Sequence, residues 1–196
     1  ISIIVPAFDE EKRLGDSVKK ILSFIRAEKL SAELIIVDDG SKDKTAEIGK
    51  KACAAFPEIQ SKVIRYKENR GKGFAVKTGL LAAESDIALF SDTDLSTPIE
   101  ELDKLVKPIQ SGEVDVAFGS RALDRNLIGV RQPWRREQSG KVFNLIVRTL
   151  TGLPFWDTQC GFKAFNMRKF APLLEVMRVE RFGFDVEFLF VANYHG

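Results

Sequence analysis

Leu34-Ile35-Ile36-Val37-Asp38-Asp39-Gly40-Ser41 is an apolar, β-branched run that ends abruptly in two acids and a turn. A run of this kind without polar alternation predicts a strand buried on both faces. The helical spacing over residues 44–56 makes it the first half of a strand–helix unit. The unit recurs on either side. Upstream, residues 1–5 read as a buried strand stopped by Pro6, followed by a helical pattern over 10–27 carried by Leu14, Val18, Ile21, Leu22 and Ile25. Downstream, strands are predicted over 62–66, 87–90 and 114–118, with helices over 73–84 and 99–110. Such alternation predicts an α/β fold with a mostly parallel sheet flanked by helices. After residue 121 the alternation stops, and residues 182–196 read as an element still in progress.

The chain has 196 residues, a length that fits a single domain. Hydrophobic residues make up 44% and charged residues 30%, which excludes disorder, collagen and coiled coil as descriptions of the whole chain. Cys53 and Cys160 stand far apart without a CxxC, so neither a zinc site nor a disulfide framework is expected, and a reducing compartment fits. No apolar run reaches the length of a membrane span and no signal pattern opens the chain. Ile1 already begins a strand, and the other end is as abrupt, so a segment of a longer polypeptide is expected. The net charge of +2 argues against a nucleic-acid partner. It is unevenly spread: residues 121–170 hold ten bases and three acids, a net +7, leaving −5 elsewhere. Trp134, Phe143, Phe155, Trp156 and many aliphatic residues interleave with those bases, a mixture suited to an anionic membrane surface or to capping the sheet.

In open parallel sheets ligands bind beyond the carboxyl ends of the strands. The chemistry-bearing residues fall there: Asp9 and Glu10, Asp38 and Asp39, Asn69–Gly73, Asp92 and Asp94, and Gly119-Ser120-Arg121. If Asp92-Thr93-Asp94 is extended, its two carboxylates point the same way and can reach one hard cation, as a magnesium–diphosphate clamp requires. The same residues also suit a turn and helix cap. Of Asp38 and Asp39, one fits a structural turn role and the other a hydrogen bond to a nucleobase or ribose. Asn69-Arg70-Gly71-Lys72-Gly73 could offer backbone N–H groups and Lys72 to a phosphate, or serve as a tight turn into a helix. It lacks P-loop spacing, and Val76 replaces the third glycine of a dinucleotide fingerprint. His195 stands alone without a GxSxG elbow, which disfavours hydrolytic nucleophile chemistry.

Together, Pro6-Ala7-Phe8-Asp9-Glu10-Glu11, Val37–Ser41, Asn69–Gly73, Asp92-Thr93-Asp94 and Gly119-Ser120-Arg121 resemble the inverting family 2 glycosyltransferases of GT-A fold. Asp157-Thr158-Gln159-Cys160-Gly161-Phe162-Lys163 and Glu180-Arg181-Phe182-Gly183-Phe184-Asp185-Val186-Glu187 are most similar to dolichyl-phosphate β-glucosyltransferases, and next to dolichyl-phosphate mannosyltransferases. Asp9 departs from the usual Asn and Thr93 from a frequent Ala. The resemblance implies that Pro6, Phe8, Glu10, Asp38, Asp39, Lys72, Asp92 and Thr93 surround the nucleotide-sugar. It implies Mg²⁺ or Mn²⁺ on Asp92 and Asp94, and an acceptor phosphate on Arg121, Arg131, Arg135 and Ser139. Asp157 and Asp185 would orient the acceptor or the sugar hydroxyls, or be structural. The expected reaction moves glucose from UDP-glucose to dolichyl or another polyprenyl phosphate at the cytoplasmic face of a membrane, the endoplasmic reticulum in a eukaryote or the plasma membrane in a prokaryote.

A phosphate monoester has a second pKa near 6 and is already nucleophilic at neutral pH, whereas a sugar hydroxyl needs a general base. The phosphate acceptor therefore demands no essential base. The rival expectations are GDP-mannose as donor, a saccharide acceptor, disfavoured by the absence of a QxxRW-like segment, and a non-catalytic nucleotide-sugar or membrane-surface binding module.

Overall fold

The computed structural model describes residues 1–120, 149, 151–154, 158–181 and 183–195. In chain order the elements are β1 (Ser2–Ala7), α1 (Leu14–Ala27), β2 (Glu33–Asp38), α2 (Thr45–Ala54), β3 (Ser61–Arg65), α3 (Lys72–Leu81), β4 (Ile87–Ser91), a 3₁₀ turn (Ile99–Glu101) running into α4 (Leu102–Gln110), β5 (Val116–Phe118), β6 (Phe162–Asn166), α5 (Met167–Leu174) and α6 (Phe184–Tyr194). The strands form one sheet in the order β3-β2-β1-β4-β6-β5. Strands β1 to β4 pair in parallel, while β6 lies antiparallel between β4 and β5. The expected mostly parallel sheet flanked by helices is present.

Alternation along the strands divides the interior into two layers. Ile3, Val5, Leu34, Ile36, Leu89, Phe162 and Ala164 pack with α1 and α4 on one face. Ile4, Ile35, Val37, Ala88, Phe90 and Phe165 pack with α3, α5 and α6 on the other. Both layers are apolar, which is why β1, β2 and β4 read as unbroken hydrophobic runs.

Three expectations change. Pro6 does not stop β1; it continues the strand, in register with Val37. In a parallel strand the N–H and C=O of one residue face the same neighbour. Pro6 faces β4, whose pairing with β1 ends at Ile4↔Phe90, so its missing N–H leaves no ladder bond unmade. Its carbonyl instead accepts a bond from the Thr93 hydroxyl at 2.6 Å. Second, β6 is a central strand where no strand was expected. Third, the helix expected over 10–27 begins at Leu14; before it the amides of Asp9, Glu10 and Glu11 bond the side chains of Ser41, Thr45 and Asp43, and the Arg13 and Leu14 amides share the Glu10 carbonyl in a turn.

Candidate functional site at the carboxyl edge of the sheet

The loops after β1 and β2 are laced together. Asp9 adopts a left-handed backbone (φ 52°), and its carboxylate accepts the Lys42 amide at 2.8 Å, a bond that an Asn side-chain oxygen could also accept. Glu10 binds the Arg13 guanidinium through both oxygens, at 2.8 and 2.9 Å. Phe8 is exposed beside them.

Asp38 and Asp39 are both buried and both have protein partners, where one structural acid and one ligand acid were expected. Asp38 caps the Ser41 amide at 3.0 Å and pairs with Arg65 at 3.1 Å. Asp39 organises the next loop: its carboxylate accepts the amides of Arg70 and Gly71, each at 2.8 Å, and the Asn69 side chain at 2.9 Å. Burial, with Asp39 alongside, pushes the Tyr66 hydroxyl well above its usual pKa.

The 69–73 loop therefore does not present the amides of Arg70 and Gly71 to a ligand. The Phe74 amide is also occupied, donating to the Glu180 carbonyl at 2.9 Å. Gly71 has φ 105°, and a Cβ there would lie 2.7 Å from that carbonyl, so glycine lets the 180 segment close over the start of α3. Arg70 pairs with Glu180 while its guanidinium lies over the Phe74 ring, 3.5 Å from the centroid. What the loop directs into the site is the Lys72 side chain.

Lys72 Nζ lies 2.5 Å from Asp92 Oδ1, at the end of β4. Of the two readings of the segment after β4, extended run or turn, the structure has the turn, for the Asp92 carbonyl accepts the Leu95 amide at 3.1 Å and Leu95 has φ 48°. Thr93 points its hydroxyl at Pro6, tying the turn to β1. Asp94 Oδ1 accepts the Ser96 amide and hydroxyl at 2.9 and 2.6 Å. Burial opposes ionisation of Asp94, but the Ser96 bonds and the positive fields of Arg13 and Lys72 outweigh it and hold the carboxyl below its ordinary pKa. Lys72 thus touches one carboxylate and acts on the other.

The floor of this cluster comes from β6 and α6. Gly161 accepts the Asp92 amide at 2.9 Å, and a Cβ at 161 would fall 2.5 Å from Asp92 Oδ1 and nearer still to Oδ2. Lys163, fully buried, donates to the Cys160 carbonyl at 2.6 Å and pairs with Asp185. Its ammonium also lies 5.3 Å from the Phe90 ring centroid. Burial raises the Asp185 pKa, with Lys163 and Lys72 pulling it down and Asp92 adding to the rise. Asp185 is therefore committed to Lys163. Lys163 itself was not anticipated, although a lysine between Phe162 and Ala164 is a signal, since a cation inside an apolar strand requires an acid. Arg121, Arg131, Arg135, Ser139 and Asp157 lie outside the described residues.

Two hard carboxylates, one kept ionised by its surroundings, suit a divalent cation that takes its remaining ligands from a diphosphate. Asp92 Oδ1 is buried and makes no aligned hydrogen bond among the described residues; it meets a cation, Lys72, instead. That atom fits a metal ligand. Among the described residues no cluster of three or more His, Cys, Asp or Glu side chains is present, so a metal here would depend on ligand oxygens.

The Glycosyl transferase family 2 model matches residues 2–174. The chain belongs to glycosyl transferase family 2. The dolichyl-phosphate beta-glucosyltransferase of Homo sapiens is 33% identical over 205 residues, covering 99% of this chain and 63% of that protein. Glucosyl-3-phosphoglycerate synthase of Mycobacterium tuberculosis, solved with Mn²⁺, UDP and phosphoglyceric acid, superposes with a TM-score of 0.65 at 22% identity, over 96% of this chain and 62% of that one. The Pyrobaculum calidifontis mannosyltransferase PcManGT, solved with GDP-Man and Mn²⁺, gives a TM-score of 0.61 at 20% identity, over 88% of this chain and 46% of that one. The fold is thus the GT-A fold of these glycosyltransferases. The chain spans less than two thirds of the length of the curated relatives it matches first. Among the described residues no helix is long and apolar enough to cross a membrane.

Proposed function

We propose that this family 2 domain transfers glucose, with inversion, from UDP-glucose to a dolichyl or other polyprenyl phosphate at the cytoplasmic face of a membrane. The observation that carries the reading is the Asp92–Asp94 turn with Lys72 against it: two carboxylates and one ammonium, at the sheet edge where a nucleoside diphosphate would bind. Similarity to dolichyl-phosphate beta-glucosyltransferases over nearly the whole chain supports the choice of substrates.

Asp92 and Asp94 would hold Mg²⁺ or Mn²⁺ against the donor diphosphate. Such a cation supplies Lewis-acid stabilisation of the negative charge that grows on the departing nucleotide. The chain's own residues do the rest. Thr93 and Gly161 fix Asp92, Ser96 fixes Asp94, and Asp39 shapes the loop that carries Lys72. Arg121, Arg131, Arg135 and Ser139 are assigned to the acceptor phosphate, which guanidinium forks suit. The acceptor's own oxygen serves as nucleophile without a general base. Asp185, engaged by Lys163, is assigned to holding β6 against α6.

The test is transfer of radiolabelled glucose from UDP-glucose to dolichyl phosphate, with GDP-mannose as the competing donor. We expect a labelled, mild-acid-labile lipid from UDP-glucose with Mg²⁺ or Mn²⁺, and loss of at least about 10²-fold in Asp92→Asn with its melting temperature retained. Mannose transfer from GDP-mannose would reassign the donor, and a fully active Asp92→Asn would overturn the site.

A further inference from the structure

Lys72 sits where its charge is already spent. Its ammonium contacts Asp92 Oδ1 at 2.5 Å, and it lies 5.9 and 5.8 Å from the ring centroids of Phe90 and Phe184, within cation–π range of both. It also acts electrostatically on Asp94 and Asp185. Lys72 begins α3, and the loop before it is pinned by Asp39 through the amides of Arg70 and Gly71. The backbone origin of the side chain is therefore fixed, while the four-carbon stem can swing.

From this geometry we infer that Lys72 is a resident counter-ion of Asp92 that must be drawn off before the carboxylates can bind a divalent cation. A diphosphate provides that pull: its oxygens offer Lys72 a new anionic partner and complete the metal's ligand set. Metal and nucleotide binding become coupled, with the free enzyme disfavouring bare cation. The physical basis is direct. A metal ion placed on Asp92 Oδ1 while Lys72 stays within contact distance would meet a positive charge a few ångströms away in a partly desolvated site, where like-charge repulsion is poorly screened. With Lys72 parked, Asp92 is neutralised at no cost in bound metal, and the two partners of the pair are each about three-quarters buried, at 29% and 26% side-chain exposure.

This inference rests on the proposed metal and nucleoside-diphosphate site, and its test separates the two. Mn²⁺ binding is measured by loss of the free-ion electron paramagnetic resonance signal, with and without UDP or GDP, for the wild-type chain, Lys72→Met, Lys72→Gln, Lys72→Arg, Lys77→Met and Asp92→Asn. Lys77, on the same helix, donates to the Met177 carbonyl at 3.0 Å and controls for net charge. We expect weak Mn²⁺ binding by the wild type alone, strengthened by the matching nucleotide. Lys72→Met and Lys72→Gln should bind Mn²⁺ alone about tenfold more tightly than the wild type, with the nucleotide's enhancement reduced. Lys72→Arg and Lys77→Met should stay near the wild type. Nucleotide-strengthened Mn²⁺ binding in the wild type, with no gain in either neutral Lys72 variant, would overturn the counter-ion role and leave the metal site standing. An equal gain in Lys77→Met would overturn it as well, reducing the effect to net charge. No Mn²⁺ binding that depends on Asp92, with or without nucleotide, would overturn both.

Discussion

At the scale of single residues, the chemistry depends on positions that carry none themselves. Gly161 is the clearest. The Asp92 carboxylate occupies the space a Cβ at 161 would need, and the Gly161 carbonyl holds the Asp92 amide. Gly161→Ala must therefore push Asp92 aside or move the chain before β6. The expected result is a drop in sugar transfer of at least about 10²-fold, because small displacements of a positioned group are costly to catalysis. The folded state should persist, with a melting temperature lowered by no more than about 4 °C. Steady-state transfer beside a thermal melt checks this, and a fully active Gly161→Ala would show that Asp92 need not stand where the fold puts it. The acids themselves were legible in the sequence, because Asp92 and Asp94 follow an apolar strand at a sheet edge. Their local geometry was not. The residue types allowed either an extended pair or a turn, and the structure closes a turn around Thr93, whose hydroxyl seeks the Pro6 carbonyl left without a ladder partner where β4 pairing ends. That partner lies 87 positions away, and no local pattern reports it.

At the scale of elements, pattern and composition revealed β1 to β5 and α1 to α4, clearest in the apolar runs of β1, β2 and β4 and the amphipathic stripes of α1 and α4. They failed at β6. Phe162-Lys163-Ala164-Phe165-Asn166 is short, carries a lysine in its middle, and joins the sheet antiparallel after a long excursion from β5. Both its faces are nonetheless buried, and Lys163 is tolerated there because α6 supplies Asp185. This pair ties the strand beneath Asp92 to the first turn of α6. Removing one member leaves an uncompensated buried charge, at a typical cost of about 3–5 kcal/mol, whereas replacing both by apolar residues of similar size is often neutral. Lys163→Met and Asp185→Leu should each lower stability by an amount of that order in urea or thermal unfolding, and the double variant should recover most of it. If the pair only holds β6 and α6 together, transfer should recover with stability. A double variant that is stable yet inactive would give Lys163 or Asp185 a direct part in binding the sugar or acceptor.

At the scale of the whole molecule, the small net charge of +2 is the sum of two stretches of opposite net charge along the sequence. The −5 remainder contains the carboxylates at the sheet edge proposed to hold a cation against a nucleotide, while the +7 stretch of residues 121–170 contains every arginine assigned to the acceptor phosphate. A lipid-linked phosphate is presented at an anionic surface, so the same bases that would bind it would also hold the domain against the bilayer. Clustered bases gain on the order of 1 kcal/mol each near an anionic leaflet, an attraction that fades beyond a Debye length of about 8 Å at physiological ionic strength. The domain should therefore co-sediment with vesicles containing phosphatidylserine at low salt and be released as salt rises toward about 0.5 M, with little binding to pure phosphatidylcholine. Charge reversal at Arg125 and Arg136, two bases of the stretch not assigned to the acceptor, should weaken sedimentation while leaving transfer to a short, water-soluble polyprenyl phosphate within about twofold. Loss of vesicle binding together with that soluble transfer would place these arginines in the acceptor site itself. Vesicle binding that ignores both salt and lipid charge would mean that the aromatic and aliphatic residues of the stretch, not its bases, govern contact with the bilayer.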